Sequence, residues 1–323
     1  MSASRQTLEG LSAETGFRPA TLDKVIRLGE LAAEIGRQPV LSRALVLKGG
    51  TALNLCFASP RRLSVDLDFN YVGSADRAGM LRDRPTIERL IEQVARGQGY
   101  GVQWSAEEHA GRTVFLRYQG AFGTPDQVQV DLNFLFRVPL GETASKPLWQ
   151  PPGIDRPTVR LAPFGEVASG KLIATLARGL PRDLFDTRRL PQLAPEAWSQ
   201  PGLKRTFVAL AGMLDHPLTA YGRDRLRVTD QQVRQQLDAM LLQDEHVTAS
   251  DLNSDAWEVL APFLDFDDAE REYTDRLQVG ELRPELLFPD DADMTDRLAR
   301  HPALLWKAQN AREHAAGRRP ALR

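Results

Sequence analysis

Apolar residues recur along the chain with two different periods. Over 21–36, Leu22, Val25, Ile26, Leu28, Leu31 and Ile35 return at mostly helical spacing, which predicts an amphipathic helix. Residues 63–72 alternate strictly. Val65, Leu67 and Phe69 point one way and Ser64, Asp66, Asp68 and Asn70 the other, the pattern of a half-buried strand. Between the two, the apolar run Ala44–Leu47 leads to Gly49-Gly50, and Thr51–Phe57 reads as the start of a helix with Thr51 as its cap. A helix over 77–96 and strands near 100–105, 113–119 and 127–136 follow. The first 140 residues therefore carry an α/β pattern.

Residues 139–164 hold six prolines, at 139, 147, 151, 152, 157 and 163. That density disfavours both helix and central strand and predicts a linker or wrapping loop. Beyond it the periodicity is helical, over 165–180, 182–192, 202–214, 230–243, 255–262, 267–278 and 293–314. No repeat of fixed period is present. The expected organisation is an α/β domain over 1–150 and a mainly helical domain over 151–323.

The chemistry sits on the polar faces of two strands. Asp66 and Asp68 share a face, with Cα atoms about 7 Å apart at about 3.3 Å per residue. In Gln127–Phe134 the same alternation puts Gln129, Asp131 and Asn133 on one face and Val128, Val130, Leu132 and Phe134 on the other. If the strands pair, Asp131 lies about 5 Å from its neighbour across the ladder. Aspartate is disfavoured inside strands, and three carboxylates this close repel one another without a cation. Oxygen ligands of this kind suit Mg²⁺ (or Mn²⁺), so Asp66, Asp68 and Asp131 are the expected catalytic and metal-binding residues.

Fourteen residues separate Thr51 from Asp66. Gly49 and Gly50 allow close approach of backbone to a phosphate, and the following helix start offers free N–H groups. Together Lys48, Gly49, Gly50 and Thr51 form an expected cradle for a nucleotide triphosphate, flanked by Arg62 and Ser64. Further along, Lys171, Thr175 and Arg178 fall on one helical stripe, where two cations can reach β- and γ-phosphates. Arg182 and Asp186 have the spacing of a helix ion pair, and Asp183 that of a first-turn acid.

Composition narrows the class. The chain has 323 residues, 42% hydrophobic, without a run of the roughly 18 apolar residues that a membrane helix needs. The start, Met-Ser-Ala-Ser-Arg-Gln, lacks a signal-like apolar stretch, and one cysteine, Cys56, sits in an apolar run. Both fit a cytoplasmic protein with a packed thiol. The five histidines show no zinc spacing, and no Walker A loop or Gly-x-Ser-x-Gly elbow occurs. Net charge is −2, but it is unevenly spread. Residues 171–227 carry 10 Lys/Arg against 5 Asp/Glu, residues 228–300 carry 6 against 19, and the last 23 residues carry 5 against 1. A polyanion prefers the first and last of these. The run Arg223-Asp224-Arg225-Leu226-Arg227 is a solvated loop or an RNA-backbone contact.

These motifs, Lys48-Gly49-Gly50-Thr51-Ala52-Leu53 and Arg62-x-Ser64-x-Asp66-Leu67-Asp68-Phe69, resemble the first motif of the AbiEii/AbiGii-type toxin nucleotidyltransferases. That family is related to the MenT toxins and lies within the DNA polymerase β-like superfamily. The likeness continues at Glu166, Ala168, Lys171 and Arg178, at Arg182-Asp183-Leu184-Phe185-Asp186, at Arg283–Phe288 and at His301–Lys307. The resemblance implies a polymerase β-like nucleotidyltransferase domain with a mixed sheet, followed by helices. It implies the toxin half of a bacterial toxin–antitoxin or abortive-infection pair with a cognate antitoxin. It further implies an enzyme that uses an NTP and a divalent metal to attach nucleotides to the 3′ end of tRNA and so block translation. It maps the catalytic pair to Asp66 and Asp68, the active-site lysine to Lys171 and a later acid to Asp186 ahead of Asp183. The family motif is also given as Gly-Ser with a shorter spacer, and the Gly-Thr here leaves the nucleotide preference open. Two alternatives remain at this point. One is transfer to a protein or small molecule, and the other is a partner protein that binds NTP without turnover.

Overall fold

The computed structural model describes residues 3–316. In chain order its helices and strands are α1 (Arg5–Thr15), α2 (Pro19–Arg37), α3 (Pro39–Ala44), β1 (Leu45–Lys48), α4 (Gly49–Cys56), β2 (Asp66–Tyr71), α5 (Arg77–Gly97), β3 (Gly101–Trp104), β4 (Gly111–Gln119), β5 (Pro125–Asn133), β6 (Ala144–Pro147) and β7 (Thr158–Leu161). They continue with α6 (Phe164–Arg178), α7 (Pro181–Leu193), α8 (Pro195–Trp198), α9 (Gly202–Ala211), α10 (Asp230–Gln236), α11 (Ala249–Leu260), α12 (Asp268–Gln278), α13 (Ala292–Ala299) and α14 (Pro302–Ala315).

Two compact units result. The first comprises Met1–Arg137, Thr143–Ala162 and Gln231–Thr248, and the second Val138–Glu142, Pro163–Asp230 and Ala249 onward. The chain passes between the units more than once. The segment after 150 still supplies a strand to the sheet, and a later segment returns to it. The acidic stretch 228–300 is likewise divided between the units.

In the first unit a seven-stranded mixed sheet has the order β3-β4-β5-β2-β1-β7-β6. β2 runs antiparallel to β1 and parallel to β5. Leu67, Phe69, Val130 and Leu132 are buried on one face, where α2 packs with Leu22, Val25, Ile26, Leu28 and Leu31. Each such side chain contributes about 1.5–3 kcal/mol relative to exposure. The alternation that buries these residues turns Asp66, Asp68 and Asp131 to the other face. Helix α5 begins on Asp76, whose carboxylate accepts from Gly79 N at 2.8 Å.

Residues 237–245 form a strap over the segment that enters β2. Leu63 N donates to Met240 O at 2.8 Å, Leu242 N to Arg61 O at 3.1 Å and Thr21 Oγ1 to Ala239 O at 2.7 Å. Buried Leu237 and Leu241 anchor it. This explains why β2 starts at Asp66 and not at 63, because residues 61–63 bond to the strap and not to the sheet. It also explains why the helix expected over 230–243 ends at Gln236.

The proline-rich stretch is no unstructured linker. It carries β6 and β7, with β6 at the sheet edge ending on Pro147, where a missing N–H costs no ladder bond. The second unit is helical. Leu172, Leu176, Leu184, Phe185, Leu190, Phe207, Leu210 and Leu252 are buried where α6, α7, α9 and α11 pack together. The helix expected over 293–314 is two, α13 and α14, separated at His301-Pro302 because the residue before a proline avoids helical geometry.

Candidate active site

The site in the first unit is built where β1 turns into α4. Gly49 follows Lys48 with φ +71°, a left-handed conformation that a side chain would strain. A Cβ there would meet Asp68 Oδ2 at 2.2 Å and Cγ at 2.8 Å. The absent side chain is therefore what lets the Asp68 carboxylate lie against the backbone at the start of α4. Lys48 and Asp68 are direct register partners in the antiparallel pair, so their side chains share a face. The N-cap residue of α4, Lys48, makes no side-chain hydrogen bond to the first N–H groups of the helix.

Across the parallel ladder Asp68 faces Asp131, and Asp66 faces Gln129. Strands at this spacing put the paired residues about 4.8 Å apart. Among the described residues Asp68 has no hydrogen bond or ion pair. Asp131 is held. Thr113, its register partner on β4, donates its hydroxyl to Oδ1, and Gln129 Nε2 lies 3.4 Å from Oδ2. Asn70 is buried on the Asp68 face, and its Oδ1 has no hydrogen-bond partner.

The donor set is all oxygen, which fits a hard divalent cation, and Gly49 leaves the room that a side chain would fill. With the side chains as they stand, however, no group of three or more His, Cys, Asp or Glu among the described residues closes into a metal cluster. The trio Asp66, Asp68 and Asp131 shares a face, with the Asp131 oxygens engaged by Thr113 and Gln129.

Three of the expected phosphate contacts, Thr51, Arg62 and Ser64, are buried. Thr51 does not cap α4, since Lys48 occupies that position. Its fully buried hydroxyl donates to the Asp66 carbonyl and ties α4 to the start of β2. Arg62 is 2% exposed and donates to Leu63 O at 2.9 Å, which makes it a packing residue under the strap. Ser64 is buried at the entrance to β2. Cys56 is also packed. Burial pushes its thiol up to about 12 despite the opposing pull of Lys146.

In the second unit the charged side chains form a network between α6 and α7. Lys171 Nζ lies 2.9 Å from Asp183 Oδ1 and 2.9 Å from Asp186 Oδ2. Arg178 Nε lies 2.7 Å from Asp183 Oδ2, and its NH2 3.0 Å from Oδ1. Thr175 bonds the Lys171 carbonyl at 3.0 Å and the Thr187 hydroxyl at 2.7 Å. Lys171, Asp183 and Asp186 are buried, while the Arg178 side chain is half exposed. Two positive charges meet two negative ones, which is how charges survive burial. Burial would raise the Asp183 carboxyl, but Lys171 and Arg178 outweigh it and hold the group below the usual carboxylate range. Asp186 also takes Lys171, a partner that spacing within α7 does not indicate.

Sequence reasoning placed Gln129 beside Asp131 and Thr175 beside Lys171 but missed Thr113 and Thr187. Thr113 could be found only through the β4–β5 register, and Thr187 only through the packing of α6 on α7.

No curated protein matches the chain. Among solved structures it is similar to MenT4, the nucleotidyltransferase toxin Rv2826c from Mycobacterium tuberculosis H37Rv. The TM-score is 0.56 at 18% identity, over 93% of this chain and 99% of that one. At that identity the likeness is one of fold. The family model for the nucleotidyl transferase AbiEii toxin of type IV toxin–antitoxin systems matches residues 35–269. That match spans well over half of the sequence, and the chain belongs to the AbiEii nucleotidyltransferase toxin family.

Proposed function

We propose that the chain transfers a nucleotide from an NTP to the 3′ hydroxyl of an RNA, with tRNA the acceptor, and blocks translation by doing so. The observation that carries this reading is the pairing of Asp68 with Asp131 beside the Gly49 backbone at the start of α4. A binding protein without turnover has no use for two carboxylates kept side by side, since their repulsion lowers stability unless a positive ligand joins them. The family implies an NTP substrate and a cognate antitoxin as partner.

In this reading the α4 N-terminus and Lys48 receive the triphosphate. Asp66, Asp68 and Asp131 would hold a divalent cation, Mg²⁺ or Mn²⁺. Such a cation, when bound, neutralises triphosphate charge and makes the acceptor hydroxyl more acidic. The acceptor oxygen bonds to the α-phosphorus as the bond from that phosphorus to pyrophosphate breaks, and the hydroxyl proton passes to a carboxylate of the trio. Thr113 and Gln129 fix the orientation of Asp131 during that step.

The test is incubation of the full chain with each α-labelled NTP, a divalent cation and total tRNA, followed by separation of RNA, protein and small molecules. Label in RNA is expected. Label confined to protein or to a small molecule would replace the acceptor named here, and NTP binding without pyrophosphate release would remove the catalytic reading.

A further inference from the structure

We infer that Arg223, Arg225 and Arg227 form a preorganised ridge that grips the phosphodiester backbone of the RNA acceptor. The inference rests on the RNA-acceptor reading above.

The ridge lies within the second unit. Charge there is not what the sequence count suggests. Of the acids in 171–227, Asp183 and Asp186 are buried and neutralised by Lys171 and Arg178. Several of the cations are also committed. Lys204 pairs with Glu270 at 2.8 Å, Arg205 donates to Leu287 O at 2.9 Å, and Arg188 lies 3.5 Å from Asp255. By contrast, Arg223, Arg225 and Arg227 are all exposed and have no ion pair among the described residues. The exposed positive charge is thus concentrated in five residues. The one acid among them, Asp224, turns back on its own loop, with its Oδ1 3.2 Å from where a Cβ on Gly222 would lie.

The loop is rigidly mounted. Leu226 and Val228 are buried and Arg227 between them is exposed, so the chain at 226–228 is anchored on both sides of Arg227. Val228 N and O both bond the Asn253 side-chain amide on α11, at 3.1 Å each. The Arg225 carbonyl packs 3.0 Å from the Cβ position of Gly179, at the C-terminus of α6. The Arg225 guanidinium sits 4.9 Å from the centre of the Tyr221 ring, which restricts the side chain before any ligand arrives. Arg223–Arg225 form a single 3-10 turn that opens into extended chain at Leu226, so three guanidiniums are presented from five consecutive residues. Guanidiniums donate forked N–H pairs that suit the oxygens of a polyanion.

The experiment is a fluorescence titration of a labelled tRNA transcript with the full chain from 50 to 200 mM salt. In wild type, log K falls linearly with log salt. For Arg223→Gln/Arg225→Gln/Arg227→Gln the slope should lessen by about 2, and affinity at the lower salt should drop roughly tenfold or more. Arg223→Lys/Arg225→Lys/Arg227→Lys should restore most of the slope. Arg5→Gln/Arg18→Gln/Arg37→Gln, which removes the same charge from exposed positions of the first unit, should leave it unchanged. A slope for the ridge variant equal to that of wild type overturns the inference, as does an equal loss in the control. Circular dichroism melting of each variant excludes unfolding as the cause. The two readings fail separately. Label transfer to RNA with an unaltered slope removes only the ridge, whereas a ridge-dependent slope in a protein that labels no RNA removes only the transfer.

Discussion

Replacing Gly49 by alanine separates fold from chemistry at the point where both depend on one hydrogen atom. The added methyl would lie 2.2 Å from Asp68 Oδ2, more than 1 Å inside ordinary contact. The carboxylate is the far end of a flexible side chain, so it swings away and relieves most of the clash. What remains in stability is the left-handed backbone at φ +71°, about 1–2 kcal/mol for a residue with a Cβ. In catalysis the loss is larger, because a misplacement of about 1 Å at a reacting centre costs on the order of 100-fold. Gly49→Ala should therefore melt only a few degrees below wild type yet transfer label at least about 100-fold more slowly. In an Asp68→Ala background the same substitution should have little further effect on rate, since the carboxylate it displaces is gone. Thermal melting and single-turnover transfer of α-labelled nucleotide read the two quantities. A Gly49→Ala protein with wild-type turnover would refute the assignment of Asp68 to the reacting centre.

Other substitutions probe the supports. Thr51→Val removes the hydroxyl that holds the Asp66 carbonyl and should lower unfolding free energy by about 1–3 kcal/mol in a denaturant titration, whereas Thr51→Ser should retain most of it. Arg62→Ala should destabilise the protein while leaving the KM for NTP of the folded fraction unchanged, because the side chain is buried under the strap. Lys171→Met leaves Asp183 and Asp186 without their shared cation and should cost about 3–5 kcal/mol, measured by urea unfolding at neutral pH. The Asp183 carboxyl is held low in the folded state, so its stabilising contribution is complete above the unfolded value of about 3.9 and is lost as pH falls through the folded value. The gap in melting temperature between wild type and Asp183→Asn should accordingly be constant near neutrality and narrow in acid.

Much of this was legible in the sequence, for identifiable reasons. Strict alternation around Asp66-Leu67-Asp68 and around Asp131 fixes which side chains share a face, because the pleat has a period of two. The long amphipathic helices α2 and α5 are visible for the corresponding reason at helical period. Where sequence reading failed, a distant partner decided the outcome. Thr51 looked like a cap, yet its hydroxyl reaches a carbonyl in β2 that local spacing does not reveal. The burial of Arg62 beneath the strap at 237–245 is likewise set by a segment far away in sequence. Proline density argued against strands at 139–164, but strands at the sheet edge tolerate a proline at their end. Asp186 pairs with Lys171 through the packing of α6 on α7, which no spacing within α7 foretells. In the second unit, counting charges pointed to the basic segment, but only burial shows which of them remain free.

The central claim is that Asp68 and Asp131 together support nucleotidyl transfer. The most direct measurement runs α-labelled and γ-labelled NTP side by side with tRNA, using wild type, Asp68→Asn and Asp131→Asn at equal folded concentration. Wild type should move label to RNA from the α-position alone, and each variant should lose that transfer by at least about 100-fold. RNA labelled from the γ-position, or undiminished α-label with both asparagine variants, would contradict the account.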